Sequence, residues 1–206
     1  RVSREPAWLR EMRRSAFATF ERLGYPTMKD EDWHFTNVGP IAERVFAPSV
    51  AGRDVSPESL ERFGYGQDWH TIVFVNGRLV SGIDGVTAPS GISIAGLESE
   101  IASDSDVLKR HLSKLATPDD AAFSALNAAL ATDGAVIRVS ADAVVEKPVH
   151  LLFIVDPASE NAAVQTRNLI FAERHSQATI IESYVTVGGD SYFTNAVTEV
   201  FMADGA

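Results

Sequence analysis

The character of the sequence changes at Gly134, and this change limits the folds open to the chain. Downstream of it, runs of β-branched and aromatic residues alternate with turn-like stretches, and no helical period survives. The strand-like runs cover residues 136–139, 149–155, 165–172, 178–187 and 192–202. Upstream, apolar residues recur at helical spacing in several segments. We therefore predict an α+β fold, with a helical and mixed domain over residues 1–134 and an all-β domain over residues 135–206.

Periodicity alone does not decide how the downstream strands are arranged. A sandwich, a barrel and a parallel β-helix all remain open. Short connections such as residues 188–190 normally favour antiparallel hairpins. A β-helix escapes this rule, because each coil advances through corners and needs no crossover helix.

The upstream part begins with a predicted helix over residues 5–23. Pro6 suits its first turn, and Gly24 and Pro26 supply its stop. Its apolar stripe consists of Trp8, Leu9, Met12, Ala16, Phe20 and Leu23. Residues 71–75 and 78–80 then predict a hairpin, because the intervening Asn76-Gly77 readily adopts the positive φ values of a type I′ turn.

Two more helices are predicted before Gly134, together with a short helix at 57–62 and a short strand at 92–94. The first carries an apolar stripe of Val107, Leu108, His111, Leu112 and Leu115. The second has Thr117 as its N-cap and Pro118 at its first position. Its buried stripe is formed by Phe123, Leu126, Asn127 and Leu130.

Composition excludes several classes of function. The net charge of −10 and the pI of about 4.9 argue against nucleic acid and anionic membranes as partners, because phosphate binding needs clustered Lys and Arg. The chain has no cysteine, so a disulfide, a thiolate zinc site, a cysteine nucleophile and cysteine ligation of a cluster by this chain are excluded. No apolar run is long enough to span a bilayer and no signal peptide is recognisable, so we expect a cytoplasmic protein. Both ends of the sequence suggest a fragment.

No constellation of residues predicts catalysis or metal binding. The five histidines, at positions 34, 70, 111, 150 and 175, lack metal-ligand spacing, and His175 beside Glu173 is only a weak candidate. The acidic run 30–32 lacks the pattern of a calcium loop and predicts a solvated loop, which Trp33 and Phe35 would anchor onto the first helix. Residues 64–66 begin like a dinucleotide-binding fingerprint, but the third glycine is missing. We expect no catalytic, cofactor-binding or metal-binding residue in this chain, and no enzyme activity.

Three charges on predicted strands form one further candidate set. Strand alternation places Arg167 with Leu169 and Phe171, and it places Glu182 and Glu199 among apolar residues in the same way. If these strands stack, the three charges could form a ladder on one face that fixes the register. The commoner outcome for such residues is three independent, exposed charges.

Several short motifs, in order along the chain, resemble those of one known family. The first is the stretch 26–37, with Glu31, Trp33, Phe35, Thr36 and Asn37. Further matches are Phe123–Ala129 followed by Asp133-Gly134, and then 148–153, 167–170, 181–184 and 195–199. On these residues the chain resembles the N-terminal portion of SufD-type subunits of the SUF iron–sulfur cluster assembly complex, in the SufB/SufD family.

This resemblance implies an N-terminal helical domain followed by the start of a right-handed parallel β-helix. It implies a non-catalytic scaffold subunit that acts with a SufB-type paralogue and a SufC-type ATPase, whose docking regions lie mostly beyond residue 206. The family handles iron–sulfur clusters; we expect no cofactor in this fragment, and leave open whether the intact protein binds a cluster or a flavin. The absence of cysteine favours the SufD type over the SufB type. The isolated fragment could form a homodimer.

The sequence leaves two other functions open. A carbohydrate-binding or carbohydrate-active β-helix protein would need an aromatic groove and paired carboxylates, about 5 Å apart in a retaining enzyme, for which Glu182 and Glu199 are the strand candidates. A general interaction module would be distinguished by whether it recovers an ATPase partner.

Overall fold

The computed structural model describes residues 5–49, 61–63, 68–81, 90–119, 121–156, 161–188 and 191–206 of the chain. Its helices are α1 (Ala7–Leu23), α2 (Gly39–Ala42), α3 (Leu97–Ala102), α4 (Asp106–His111) and α5 (Ala122–Leu130), with a 3₁₀ turn at Glu31–Trp33. Its strands are β1 (Ala47–Pro48), β2 (His70–Val75), β3 (Arg78–Ser81), β4 (Ile92–Gly96), β5 (Ala135–Val139), β6 (Val149–Val155), β7 (Ala162–Ala172), β8 (Ile180–Thr186) and β9 (Tyr192–Met202). These elements confirm the α+β class.

The strands form two mixed sheets. In the first sheet, β7 pairs with β9 along its whole length and with β1 and β5 over shorter stretches, and β5 also pairs with β4. The second sheet has the order β3–β2–β6–β8. The pairs β2–β3 and β4–β5 are antiparallel, whereas the other pairs in both sheets are parallel. From β5 to β9 the chain visits the two sheets alternately.

The main hydrophobic core lies between the two sheets. Ile137 and Ile170 of the first sheet meet Phe74, Leu151 and Phe153 of the second, and all five are buried. A second core lies on the outer face of the first sheet, where the helices α1, α3 and α4 pack on β5 and β7. The layers are therefore helices, sheet and sheet, and the first sheet is covered on both faces by apolar side chains.

The chain turns in the same way after β5, β7 and β9. Each turn contains one residue with positive φ, at Asp142 (58°), His175 (55°) and Gly205 (75°). Each is closed by a backbone hydrogen bond of 3.1 Å from the third following residue, between residues 140 and 143, 173 and 176, and 203 and 206. Successive turns also contact each other, since the N–H groups of Asp142 and His175 donate to carbonyl groups of the next turn. Three equivalent corners are therefore stacked.

Local signals in the sequence placed α1 and the hairpin correctly. Pro6 occupies the N-cap position of α1, and Gly24, with φ of 70°, ends the helix while its N–H donates to the carbonyl of Phe20. Asn76 and Gly77 have φ values of 51° and 76°, which confirms the type I′ turn between β2 and β3.

The helices between residues 97 and 130 differ from the prediction. The short helix α3 was missed, because its N-terminal cap is the carboxylate of Asp133, which accepts the N–H of Glu98 from 35 positions away in sequence. The predicted start at Thr117 was wrong, since α5 begins at Ala122. The predicted helix through Leu115 ends at His111, because N–H groups of residues 113–116 donate to the distant carboxylate of Glu199.

Most strand predictions agree with the structure in place and extent. The runs predicted at 149–155 and 192–202 are β6 and β9, whereas β7 begins three residues before the predicted start. The short connections do not produce antiparallel hairpins there, because β6 pairs with β8 and β7 pairs with β9 in parallel. Most of the helix predicted at 57–62, and all of residues 64–66, lie outside the described residues. None of the described helices is long and apolar enough to cross a membrane.

Candidate functional site

A buried ion pair joins β7 and β9 on the face of the first sheet that meets the helices. Arg167 and Glu199 are each 1% exposed. The Nε and Nη2 atoms of Arg167 donate to Oε1 of Glu199 over 3.0 and 2.8 Å. Residues two apart on a strand share a face, so Arg167 lies beside Leu169 and Phe171, and Glu199 lies beside Phe201. These apolar side chains pack against α1, α3 and α4, and the ion pair is therefore on the side that the helices cover.

The carboxylate of Glu199 also binds the backbone that follows α4. Its Oε1 accepts the N–H of Ser113 (2.9 Å), and its Oε2 accepts the N–H groups of Leu115 (2.8 Å) and Ala116 (3.2 Å). Ser113 has a positive φ of 60°, which turns the chain away from a helical path. A charge on a late strand therefore determines where an earlier helix ends.

The guanidinium of Arg167 is held from the helical side as well. Its Nη1 donates to Oδ1 of Asn127 on α5 (3.0 Å), and its Nη2 donates to the carbonyl of Ala116 (2.9 Å). The amide nitrogen of Asn127 in turn donates to the carbonyl groups of Thr166 (2.7 Å) and Asn195 (2.9 Å). Within the part of the chain that the structure describes, these side chains bind one another and neighbouring backbone groups, so their charges hold helices and sheet together and are not presented to a ligand.

A second polar cluster bridges the two sheets. Oε1 of Glu182 accepts from the hydroxyl of Thr198 (2.7 Å) and from Nδ2 of Asn168 (3.2 Å). Asn168 is fully buried, and its Oδ1 accepts the N–H of Ala135 (2.9 Å). The hydroxyl of Tyr184 donates to Oε2 of Glu182 (2.7 Å). The pKa of Tyr184 is raised above its ordinary value, mainly by burial and to a lesser extent by the carboxylate of Glu182.

The predicted ladder of three charges on one face was therefore wrong, although two of its members form a pair. Arg167 and Glu199 do meet, but Glu182 binds Asn168 and Thr198, whose side chains point to the opposite face of β7 and β9. The alternative of three independent, exposed charges was wrong for Arg167 and Glu199, which are buried and paired. Glu182, on β8 of the second sheet, and Glu199 thus lie on opposite sides of the first sheet. They do not form a carboxylate pair in one cleft.

Asp133 and Gly134 form the corner at which β3, α3 and β5 meet. The carboxylate of Asp133, 2% exposed, accepts the N–H groups of Leu79 and Glu98, each over 2.9 Å. Burial raises the pKa of this carboxyl, and its backbone hydrogen bonds act in the opposite direction. A side chain at Gly134 would collide with the carbonyl oxygen of Arg167. In the sequence, Asp133-Gly134 is recognisable only as a turn signal. Its role as a junction depends on Leu79, Glu98 and Arg167, which are far away in sequence.

The histidines occupy separate positions in the structure. His111 packs between Phe171 and Phe201, and Nε2 of the buried His150 lies 2.9 Å from the hydroxyl of Ser183. Nδ1 of His175 lies 3.4 Å from Asp142. Among the residues that the structure describes, no three His, Asp or Glu side chains come close enough together to hold a metal ion.

The acidic loop is exposed, but its aromatic residues do not act as predicted. Asp30 closes a local turn by accepting the N–H of Thr27 over 2.7 Å. Trp33 packs on Phe123 of α5, with 5.1 Å between ring centres, whereas Phe35 is 96% exposed. The prediction that both rings anchor the loop onto the first helix was wrong for Phe35, and the ring partner of Trp33 lies on α5.

The chain matches known family models over nearly its whole length. Residues 3–151 match the SufBD protein N-terminal region, and residues 153–206 match the SufBD core domain of SUF system FeS cluster assembly. The chain therefore belongs to the SufBD family of the SUF iron–sulfur cluster assembly system.

Similar proteins include members from several bacteria. The chain is 30% identical to a SufBD family iron–sulfur cluster assembly protein of Synechocystis sp., over 98% of this chain and 46% of that protein. It is 26% identical to the iron–sulfur cluster assembly protein SufD of Bacillus subtilis, over 98% of this chain and 47% of that protein. It is 27% identical to SufD of Escherichia coli, over 90% and 41%. The chain spans less than half the length of these relatives. The resemblance to the SufD type that its motifs predicted is confirmed.

Proposed function

We propose that this chain is the front part of a non-catalytic scaffold subunit of an iron–sulfur cluster assembly complex, and that its strands after Gly134 are the first coils of a right-handed parallel β-helix. The observation that carries the proposal is the set of three equivalent corners after β5, β7 and β9. Parallel pairing supports it, because it joins residues about 30 positions apart, such as Val149 with Ile180 and Ala162 with Tyr192.

A scaffold role agrees with how the buried polar groups are used. The charges of Arg167 and Glu199, and the amide of Asn127, bind one another and the backbone of neighbouring elements. Such a network favours one fixed arrangement of helices on the sheet, which suits a platform for other subunits. A cytoplasmic location belongs to the same proposal, and so does the division into residues 1–134 and 135–206. The two parts share a sheet, since β2 of the first part pairs with β6 of the second.

We propose a SufB-type paralogue and a SufC-type ATPase as partners, with their docking regions mostly outside residues 1–206. The cluster is the cargo of such a complex, and we expect no cofactor held by this chain alone. In the described residues β9 pairs only with β7, so its other edge is open, and the isolated chain can form a homodimer there.

The decisive experiment is to co-express the full-length gene, carrying an affinity tag, with its genomic neighbours. We expect a stable complex that contains an ATP-binding protein, and we expect ATP hydrolysis to require that protein. A tagged unrelated protein expressed with the same neighbours is the control. Recovery of the tagged protein alone, under conditions in which all partners are made in soluble form, would contradict the proposal.

A further inference from the structure

A pocket of about 460 Å³ opens between α5 and strands β1, β7 and β9 of the first sheet. Its walls include the rings of Tyr25, Phe46 and Phe193 and the side chains of Leu126 and Leu130. Its volume lies within the range of about 300–1,000 Å³ that is usual for small-molecule sites. Aromatic walls of this kind favour a flat, apolar guest.

The aromatic walls are held in place from behind. Phe46 lies 5.5 Å from Phe193 between ring centres, and Phe193 lies 5.9 Å from Phe123 of α5. Tyr25 contacts the same Phe123 ring over 6.0 Å. Because a single ring of α5 supports two of the three walls, the pocket is preformed and needs little ordering when a ligand enters.

One polar side chain of the pocket has an unused hydrogen-bond acceptor. Gln165 of β7 lines the pocket and is 8% exposed. Its buried Oε1 finds no hydrogen-bond partner in the part of the chain that the structure describes. An unsatisfied buried oxygen is costly, and the terminal amide of glutamine rotates readily about its last torsion angle. Oε1 is itself buried, so the amide must rotate to turn this oxygen to the pocket, where a donor on a bound molecule would satisfy it.

We propose that this pocket binds a planar aromatic small molecule that donates one hydrogen bond to Gln165. Stacking on Phe46 and Phe193 supplies most of the affinity, and the donor selects among guests of similar shape. This site is separate from the assembly role proposed above, since it requires neither partner subunits nor a cluster.

The test uses indole, which has one N–H donor, and benzothiophene, which has a similar shape and no donor. Binding to the purified protein is measured by ligand-observed NMR titration. We expect indole to bind with a dissociation constant below about 1 mM, and benzothiophene to bind about threefold to tenfold more weakly, as one net hydrogen bond predicts. Gln165→Met should weaken indole by the same factor and change benzothiophene less than about twofold.

A second pair of variants tests the location. Leu130, which is 44% exposed, lines the pocket, and Leu130→Trp should fill it and weaken both probes at least about tenfold. Val144→Trp, at a 62% exposed position outside the pocket, should leave both affinities unchanged. The proposal is overturned if neither probe binds, if both bind equally well, or if Leu130→Trp has no effect. If Gln165→Met does not fold, the comparison of the two probes on the unsubstituted protein decides.

Discussion

The guanidinium of Arg167 and the carboxylate of Glu199 lie 2.8 Å apart across the parallel strands β7 and β9, and both are buried. The pair is offset along the strands, since Arg167 is opposite Val197 and Glu199 is opposite Leu169. Because the same two groups also bind α5 and the chain after α4, they connect the helices to the strand pair. Removal of one partner leaves the other charge buried and unpaired.

We therefore predict that Glu199→Gln lowers the free energy of unfolding by about 3–5 kcal/mol, as expected when one member of a buried ion pair is removed. Urea denaturation measures the change. The control is Glu98→Gln, in the exposed pair with Arg78, which should cost less than about 1 kcal/mol. Equal stability of the two variants would show that the buried pair contributes little.

The same variant should change hydrogen exchange at one irregular segment. The N–H groups of Ser113, Leu115 and Ala116 donate to Glu199, so we expect them to be protected although they lie outside any helix. In Glu199→Gln a single acceptor oxygen remains, and exchange at residues 113–116 should rise more than at residues 7–23. Uniform exchange across both segments would contradict this.

We predict that Gly134→Ala destabilises the protein by about 3 kcal/mol or more, because the added Cβ would collide with the backbone of Arg167 and would lie 2.9 Å from Oδ1 of Asn168. A Cβ at Gly188 would meet no atom within 4 Å, so Gly188→Ala should change stability by less than about 0.5 kcal/mol. Thermal unfolding of both variants provides the comparison, and a mild effect at Gly134 would show that β5 and β7 can separate at low cost.

His150 should make stability depend on pH. Burial lowers its pKa below the ordinary value of 6.5. The unfolded chain therefore takes up the proton first as pH falls, so stability is present above pH 6.5 and is lost progressively down to the lowered folded pKa. We predict that the loss of stability between about pH 7.5 and about pH 5 is smaller in His150→Asn than in the unsubstituted protein.

The control for this pH dependence is His34→Asn, which removes a histidine at an exposed position. Urea midpoints at both pH values are compared for the three proteins. If His34→Asn reduces the pH dependence as much as His150→Asn does, burial of His150 is not its cause.

The stacked corners predict a specific cross-link. Val144 and Gln177 are parallel bridge partners on successive corners, and both are exposed. Since the chain has no cysteine, the double variant Val144→Cys/Gln177→Cys should form one intramolecular disulfide on mild oxidation, because bridge partners lie within the Cα separation of about 4.4–6.8 Å that a disulfide needs. A mobility shift on non-reducing gels and mass spectrometry detect it.

The matched control is Val144→Cys/Val187→Cys, whose second position is also an exposed valine but is not a bridge partner of Val144. It should remain reduced under the same conditions. Efficient cross-linking of the control pair would argue against the parallel stacking of these corners.

Short-range signals explain the parts of the fold that the sequence predicted well. The Asn76-Gly77 turn, the limits of α1 and the positions of β6 and β9 each depend on residues within a few positions of the element. Three of the errors share a different cause. The end of α4 depends on Glu199, the start of α3 depends on Asp133, and the packing of Trp33 depends on Phe123, all of them distant in sequence.

The sequence by itself determined the α+β class, most strand positions and, through its ordered motifs, the family, because hydrophobic period, turn residues and short motifs are properties of neighbouring residues. Periodicity left the direction of the strands open, and only the tertiary structure decided that β7 pairs with β9, that Arg167 meets Glu199, and that Glu182 faces the other side. Which charge a strand residue meets depends on the register between strands, and a shift of one residue would send each side chain to the opposite face.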